Sequence, residues 1–212
     1  MAFSHVFYHT TLPKDVAKII RDDLLKFDEN LVESLVGAGG PEANPIKDIR
    51  KAKNSWIPAT HWSAGFIMHY VNLVNKDNFG YDIVGIQGDI MQYTVYDEGE
   101  FYTWHQDEGI ESLYKPIADG PNSGNSEARI IDYVNSNTQL IRKLSFSLQL
   151  SDPSEYEGGQ FQLIDDTGKS FVAPKEQGTL IIFDSRLRHR VRKIKSGCRK
   201  SIVGWVVGPK WR

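Results

Sequence analysis

The chain has almost no cysteine. Cys198 stands alone among 212 residues. That excludes an intrachain disulfide framework and gives no sign of an oxidising compartment. Long apolar runs are also lacking, so no stretch has membrane-spanning length. The first residues, Met1-Ala2-Phe3-Ser4-His5-Val6, show neither the basic stretch nor the apolar run of a secretory signal. An excess of one charge is missing too. Lys and Arg number 25 against 27 Asp and Glu, a formal net charge of −2, which gives no reason to expect a polyanion as partner. Repeats and linkers are absent. What is present is a 40% hydrophobic composition, enough for a core and too much for global disorder. The expectation is a soluble, cytoplasmic, single domain over 1–212, with helical support over about 1–80 and a β core over about 81–212.

Thr11-Leu12-Pro13-Lys14-Asp15 predicts a helix start, with threonine as cap, proline in the first turn and aspartate at the positive end of the dipole. Val16, Ile19, Ile20, Leu24 and Phe27 recur at helical spacing, which extends this helix over about 13–27. Val36-Gly37-Ala38-Gly39-Gly40-Pro41 reads as a connection, since no Lys-Ser/Thr follows to make a phosphate cradle. An edge strand is expected over 49–56, and a second helix over 63–75 with Ile67, Tyr70, Val71 and Val74 on one side. From about 81 the texture changes to short Val/Ile/Tyr/Phe/Thr runs broken by Gly, Asp and Pro. Expected strands are 81–86, 89–96, 101–107, 143–151, 160–164, 169–173, 179–183, 190–195 and 199–208. This pattern predicts a double sheet or barrel with helices outside. Residues 108–142 interrupt it with a run of breakers, either a substrate cover or a solvated insertion.

The chemistry starts at Tyr102-Thr103-Trp104-His105-Gln106-Asp107. Residues two apart on a strand share a face, so His105 and Asp107 would stand side by side. Alone, such a pair is most often an ordinary hydrogen-bonded one. His189 gives it weight, because two His and one carboxylate with open positions is the arrangement of non-haem Fe(II) oxygenases. Arg199 follows ten residues later, across Lys195-Ser196-Gly197 read as a turn. That places His189 and Arg199 on neighbouring antiparallel strands, with Arg199, Ser201, Val203 and Trp205 on one face. A guanidinium near a metal can pair bidentately with the far carboxylate of a dicarboxylate cosubstrate. It can equally be one cation in the basic run 186–200, most of which must face water. In Leu144-Ser145-Phe146-Ser147-Leu148-Gln149-Leu150, the leucines and Phe146 share one face. Ser145, Ser147 and Gln149 share the other, turned either to water or into a cofactor pocket. Glu157-Gly158-Gly159 reads as a tight turn into a strand, and Asp165-Asp166-Thr167-Gly168-Lys169 as a hairpin turn.

The string Gln92-Tyr93-x-x-Tyr96-x-x-Gly99-x-x-Tyr102-x-x-His105-x-Asp107 resembles the iron-facing motif of prolyl 4-hydroxylase-type 2-oxoglutarate oxygenases. Glu157-Gly158-Gly159, Gly178 to Phe183, and His189 through Arg199 to Trp205 follow in that family's order, so the resemblance covers roughly residues 50–212. It implies a mainly β (α+β) double-stranded β-helix, a cupin-like jelly roll, with N-terminal helices packed outside. It implies Fe(II) bound by His105, Asp107 and His189, and 2-oxoglutarate held by Arg199 with Tyr96 on the same carboxylate. Arginine stands here where lysine is common in the family. The resemblance places Tyr102 at the pocket mouth and Trp205, with Gln149, on the wall. O2 is the co-reactant and ascorbate an accessory. The implied activity is hydroxylation of a prolyl residue in a proline-containing peptide or protein, with release of succinate and CO2. The same chemistry on a free amino acid, another side chain or a small metabolite is the alternative. A nucleic-acid demethylase and a non-catalytic cupin-like module rank lower, and no membrane partner is expected.

Overall fold

The computed structural model describes residues 7–34, 49–108, 140–165 and 167–211. In chain order the elements are β1 (Phe7–Thr11), α1 (Lys14–Leu24), β2 (Val32–Glu33), β3 (Arg50–Lys51), β4 (Lys53–Pro58) and α2 (Trp62–Val74). Then come β5 (Gly85–Ile86), β6 (Ile90–Tyr96), β7 (Phe101–His105), β8 (Leu140–Gln149), β9 (Tyr156–Gly158), β10 (Phe161–Ile164) and β11 (Ser170–Val172). The last four are β12 (Thr179–Asp184), β13 (His189–Val191), β14 (Ile194–Gly197) and β15 (Arg199–Pro209). An eight-stranded sheet runs β1-β12-β8-β15-β6-β4-β2, with β5 paired to β15; a five-stranded sheet runs β11-β10-β13-β7-β3; β14 and β9 pair separately. The expected double sheet is therefore observed.

Alternation along the large sheet decides what each face does. Leu144, Phe146 and Leu148 of β8, Ile202 and Val206 of β15, and Met91, Tyr93 and Val95 of β6 point outward. They form one core with Ile20 and Leu24 of α1 and with Ile67, Val71 and Val74 of α2. The intervening residues Ser145, Ser147, Gln149, Arg199 and Ser201 point between the sheets and are buried. β15 can lie flat beside β8 because residue 204 is glycine. A Cβ there would come 2.3 Å from Phe146 Cζ.

Several expectations change. Thr11 does not cap α1; Pro13 stands at the cap with no side-chain hydrogen bond, because Thr11 is held extended opposite Thr179 as the end of β1. The α-helix stops at Leu24 and tightens into a 3-10 turn over Leu25–Asn30, and Ile19 is exposed rather than packed. α2 is close to its expected span, with the His61 side chain accepting from the Ser63 amide. The expected edge strand over 49–56 is two strands in different sheets, since the chain changes sheet at Ala52. β4 lies between β6 and β2 and is not an edge. Thus the first 80 residues supply strands as well as helices. The expected strand 81–86 is only Gly85–Ile86, and β8 starts at Leu140, inside the expected loop. The expectations for 36–41 and for 109–139 lie outside the described residues. Among the described residues, no helix is long and apolar enough to cross a membrane.

The expected antiparallel pair of His189 and Arg199 is not formed. β13 belongs to the small sheet and β15 to the large one. Between them the chain turns at Arg192 and Lys193 and runs as β14 along β9, so Lys195-Ser196-Gly197 is strand rather than turn. The Gly-Gly step makes this crossing possible. Gly158 and Gly159 both have positive φ, and a Cβ on Gly158 would lie 2.3 Å from the Lys193 carbonyl oxygen. A Cβ on Gly159 would meet Ile194 Cδ1 at 2.4 Å and Arg199 Cδ at 3.2 Å. The crossing sends His189 and Arg199 to facing walls of one interior.

Candidate active site

His105 and His189 face each other across the β7–β13 pair, which places them in register. His105 Nδ1 donates to the Thr103 carbonyl at 2.8 Å, and His189 Nδ1 donates to the Leu187 carbonyl at 3.0 Å. Those bonds turn both Nε2 lone pairs to a common centre. Asp107 completes the group, but the strand pleat does not deliver it as expected. β7 ends at His105, and Asp107 sits in the following bend, pinned by its amide to the Ser185 carbonyl at 3.0 Å. One ligand atom from each of the three side chains lies within 4.8 Å of the others. Asp107 Oδ1 is 3.8 Å from His105 Nε2 and Oδ2 is 3.4 Å from His189 Nε2.

Protonation is set for cation binding. Burial opposes charge on Asp107, yet His189, His105, Arg142 and the Ser145 hydroxyl outweigh it and hold the carboxyl below its ordinary range. Burial, helped by His189, pushes His105 down to about 3, so its imidazole is neutral. Asp107 Oδ2 is buried and accepts no hydrogen bond from the described residues. An anionic oxygen without a donor, beside two imidazole lone pairs, fits a divalent cation, and this donor set suits Fe(II).

Phe161 and Phe183 pack on His189, with ring centroids 5.7 and 4.8 Å away. Phe161 also lines a pocket with Ser147, Gln149, Tyr156, Lys175, Thr179 and Arg199 among its walls. Arg199 is 3% exposed and donates from Nη1 to Ser201 Oγ at 3.3 Å. Among the described residues no carboxylate pairs with it. Gln149 Nε2 donates to the Tyr156 hydroxyl at 3.0 Å. Burial, opposed by Arg199, raises the Tyr156 pKa, and burial together with Arg199 lowers that of Lys175.

The expected site residues therefore separate into three places. His105, Asp107 and His189 form the ligand cluster, with Ser145 bonded to Ser185 at 2.9 Å beside it. Ser147, Gln149 and Arg199 line the pocket, so Gln149 belongs with Arg199 and not with Tyr102 and Trp205. Tyr96 does not line this pocket. Its ring lies 5.8 Å from the Arg199 guanidinium within an apolar cluster that includes Tyr156 and Ile194, and the tyrosine on the pocket wall is Tyr156. Tyr156 and Lys175 escaped the sequence reading. The first precedes the Gly-Gly step with nothing periodic to mark it, and the second follows Pro174 in a loop. Tyr102 stacks on His105 at 3.5 Å between centroids. It does so because β7 carries one residue more than β13 between the pairs His105–His189 and Tyr102–Val191, a bulge that turns Tyr102 inward. Trp205 lies under the Arg142 guanidinium, 4.2 Å away.

The comparisons with known proteins agree with this geometry. The model of the 2OG-Fe(II) oxygenase superfamily matches residues 91–207, just over half of the chain. The chain belongs to that superfamily, whose name carries both the metal and the cosubstrate. A PKHD-type hydroxylase of Parvibaculum lavamentivorans is 41% identical over 63 residues, which cover 30% of this chain and 28% of that protein. The matched stretch thus spans under a third of that relative's length. A prolyl-4-hydroxylase of Pseudomonas putida superposes with a TM-score of 0.66 at 18% identity, over 96% of this chain and 92% of that one. A prolyl hydroxylase of Trichoplax adhaerens, in complex with a hypoxia inducible factor peptide fragment, gives 0.66 at 17%, over 96% and 84%. At these identities the two structures speak for the shared jelly-roll fold.

Proposed function

We propose that the chain is one oxygenase domain that hydroxylates a prolyl residue in a peptide or protein, using Fe(II), 2-oxoglutarate and O2. The observation that carries this is the His105–Asp107–His189 cluster, joined through the Phe161 ring to a pocket containing a buried arginine with no described carboxylate partner. His105, Asp107 and His189 would hold the iron, and Arg199 the distal carboxylate of 2-oxoglutarate, with Lys175 adding positive charge. Iron with this cosubstrate supplies the oxidant that turns a C–H into a C–OH while 2-oxoglutarate becomes succinate and CO2.

The chain's own residues do the positioning. The Thr103 and Leu187 carbonyls fix both imidazoles, and the Ser185 carbonyl fixes the Asp107 backbone. Phe161 and Phe183 keep water off the His189 side, which strengthens every charge interaction there. The prolyl assignment draws on the names of the relatives and of the superposed structures. A reducing, cytoplasmic setting suits ferrous iron, and ascorbate would serve only to restore it.

The test is succinate formation with Fe(II), 2-oxoglutarate and a panel of proline-containing peptides, each product followed by mass spectrometry. A gain of one oxygen on proline is expected. Succinate without any oxidised proline peptide would move the assignment to another substrate and leave the oxygenase class intact. Arg199→Ala is expected to raise the 2-oxoglutarate requirement by about 30-fold or more, as loss of a buried charge pair does. An unchanged requirement would remove Arg199 from the cosubstrate.

A further inference from the structure

Opposite the Arg199 pocket, the interior next to the ligand cluster is lined by donors that lack acceptors. Arg50 on β3 is 9% exposed. Its Nη2 donates to Asn54 Oδ1 at 3.1 Å, and its guanidinium lies 4.8 Å from the Tyr102 ring centroid. Its Nε is buried with no partner among the described residues. Trp205 Nε1 is in the same condition. Arg142, stacked on Trp205, donates from Nε to Gln87 Oε1 at 2.6 Å and from Nη1 to the Asp107 carbonyl at 3.0 Å. Arg50, Tyr102 and His105 thus form one continuous stack that ends at the cluster. Both guanidiniums bear on Tyr102, opposing the burial that pushes its pKa up to about 12.

Arg50 is the charge there that lacks an opposite partner among the described residues. Asp107 and the buried Glu108 bear on Arg142, and Glu108 Oε2 accepts its amide at 2.7 Å. Glu108 Oε1 is an acceptor still without a donor. Arg50 has only neutral partners among the described residues, an amide oxygen and a ring face. A buried guanidinium in that state carries a desolvation cost that a bidentate carboxylate offsets. 2-Oxoglutarate held by Arg199 does not meet this need, because Gln92, which shares the Asn54 oxygen with Arg50, lies opposite Val203, four residues along β15 from Arg199 and about 13 Å at strand rise.

We infer that Arg50, at the far end of the stack through Tyr102 to His105, receives a carboxylate of the substrate, so that the oxidised carbon lies close to that carboxylate. The source is a chain-terminal carboxyl or an acidic side chain next to the oxidised residue. The inference rests on reading the cluster as the iron site of a hydroxylase, and it narrows the substrate. An internal amide carbonyl would satisfy Trp205 Nε1 and leave the Arg50 charge unpaired.

The test is equilibrium binding by calorimetry, without oxygen, to the full chain loaded with Mn(II) and saturated with 2-oxoglutarate so that Arg199 is occupied. One pair of probes is N-acetylproline and N-acetylprolinamide; the other is acetyl-Pro-Asp-amide and acetyl-Pro-Asn-amide. At least one acid should bind about tenfold or more tightly than its amide, the loss expected when a hydrogen bond to a charged group goes. Whichever pair discriminates identifies the source. Arg50→Gln should bring that ratio to about one. Equal affinities within both pairs, binding by none of the four, or a ratio that survives in folded Arg50→Gln would overturn the inference. The comparison in the unaltered protein decides even if the variant does not fold. Product analysis of the same probes in air reads the hydroxylase assignment separately. Preference without proline oxidation sinks the prolyl reading and keeps the carboxylate receptor; oxidation without preference does the reverse.

Discussion

The two sheets that enclose the site are built on opposite terms. The large sheet is thick and supported. Its outer face is packed under α1 and α2, and its long strands β8 and β15 run side by side over most of their length. The small sheet has strands of two to five residues, and every ligand of the cluster lies on it or just past its end. The large sheet instead supplies the counter-wall: Ser145, Ser147, Gln149, Arg199 and Trp205. The largest core thus lies on the face away from the cluster, and the strands that carry the candidate ligands are backed by smaller apolar clusters that include Leu163, Phe183 and Val191. Such a division lets the ligand cluster carry unpaired polar atoms at tolerable cost to the fold.

The sharpest way to break this contrast is Asp107→Ala on the small sheet's side. Metal affinity should fall by more than about 100-fold, beyond what losing a supporting residue costs, with turnover gone and the metal-free protein still folding cooperatively. Isothermal titration with Mn(II) and a melting curve read both halves; retained affinity would remove Asp107 from the ligand set. Phe146→Ala probes the other sheet. It should cost about 3–5 kcal/mol in denaturant unfolding, while the folded fraction still binds metal with unchanged affinity. A smaller loss would mean that the outer core does not dominate stability. The smallest effect is on pH. His105 is native-state neutral down to about 3, whereas in the unfolded chain it titrates near 6.5, as a free imidazole does. Its folded value is depressed, so its contribution to metal-free stability is complete above 6.5 and declines as pH falls towards 3. The slope from this one group is at most about 1.4 kcal/mol per pH unit. Denaturant midpoints from pH 7 to 4 should fall more steeply for the native chain than for His105→Gln.

Much of the site was legible because it rests on residue identity along the chain. His105, Asp107, His189 and Arg199 were named from spacing and family likeness, and alternation in 144–150 correctly separated the core face from the polar one. What was lost is what the third dimension adds. Asp107 reaches the cluster from a bend, not from a pleat. The β14 crossing puts His189 and Arg199 on facing walls, although a turn between two adjacent strands would have the same sequence length. Tyr156 displaced Tyr96 from the pocket wall because a tyrosine's partner depends on sheet placement, which local pattern does not carry. Arg50 lay within an expected edge strand, where a lone arginine signals only solvent contact.

The bulge in β7 has a bearing on how such a chain can vary. Facing alternates along a strand, so the number of residues between Tyr102 and His105 acts as a parity bit, which the bulge resets. With two residues between them and one residue unpaired, the phenol and the imidazole share the interior, while Trp104 lies outside under Arg190. Deleting one residue there would remove the bulge and leave Tyr102 and His105 two apart on a regular pleat, opposite Val191 and His189 and still on one face. Substitution at Thr103 or Trp104 leaves the parity intact. Relatives that keep this chemistry can therefore differ in what fills the two positions, and can lose one of them together with the bulge.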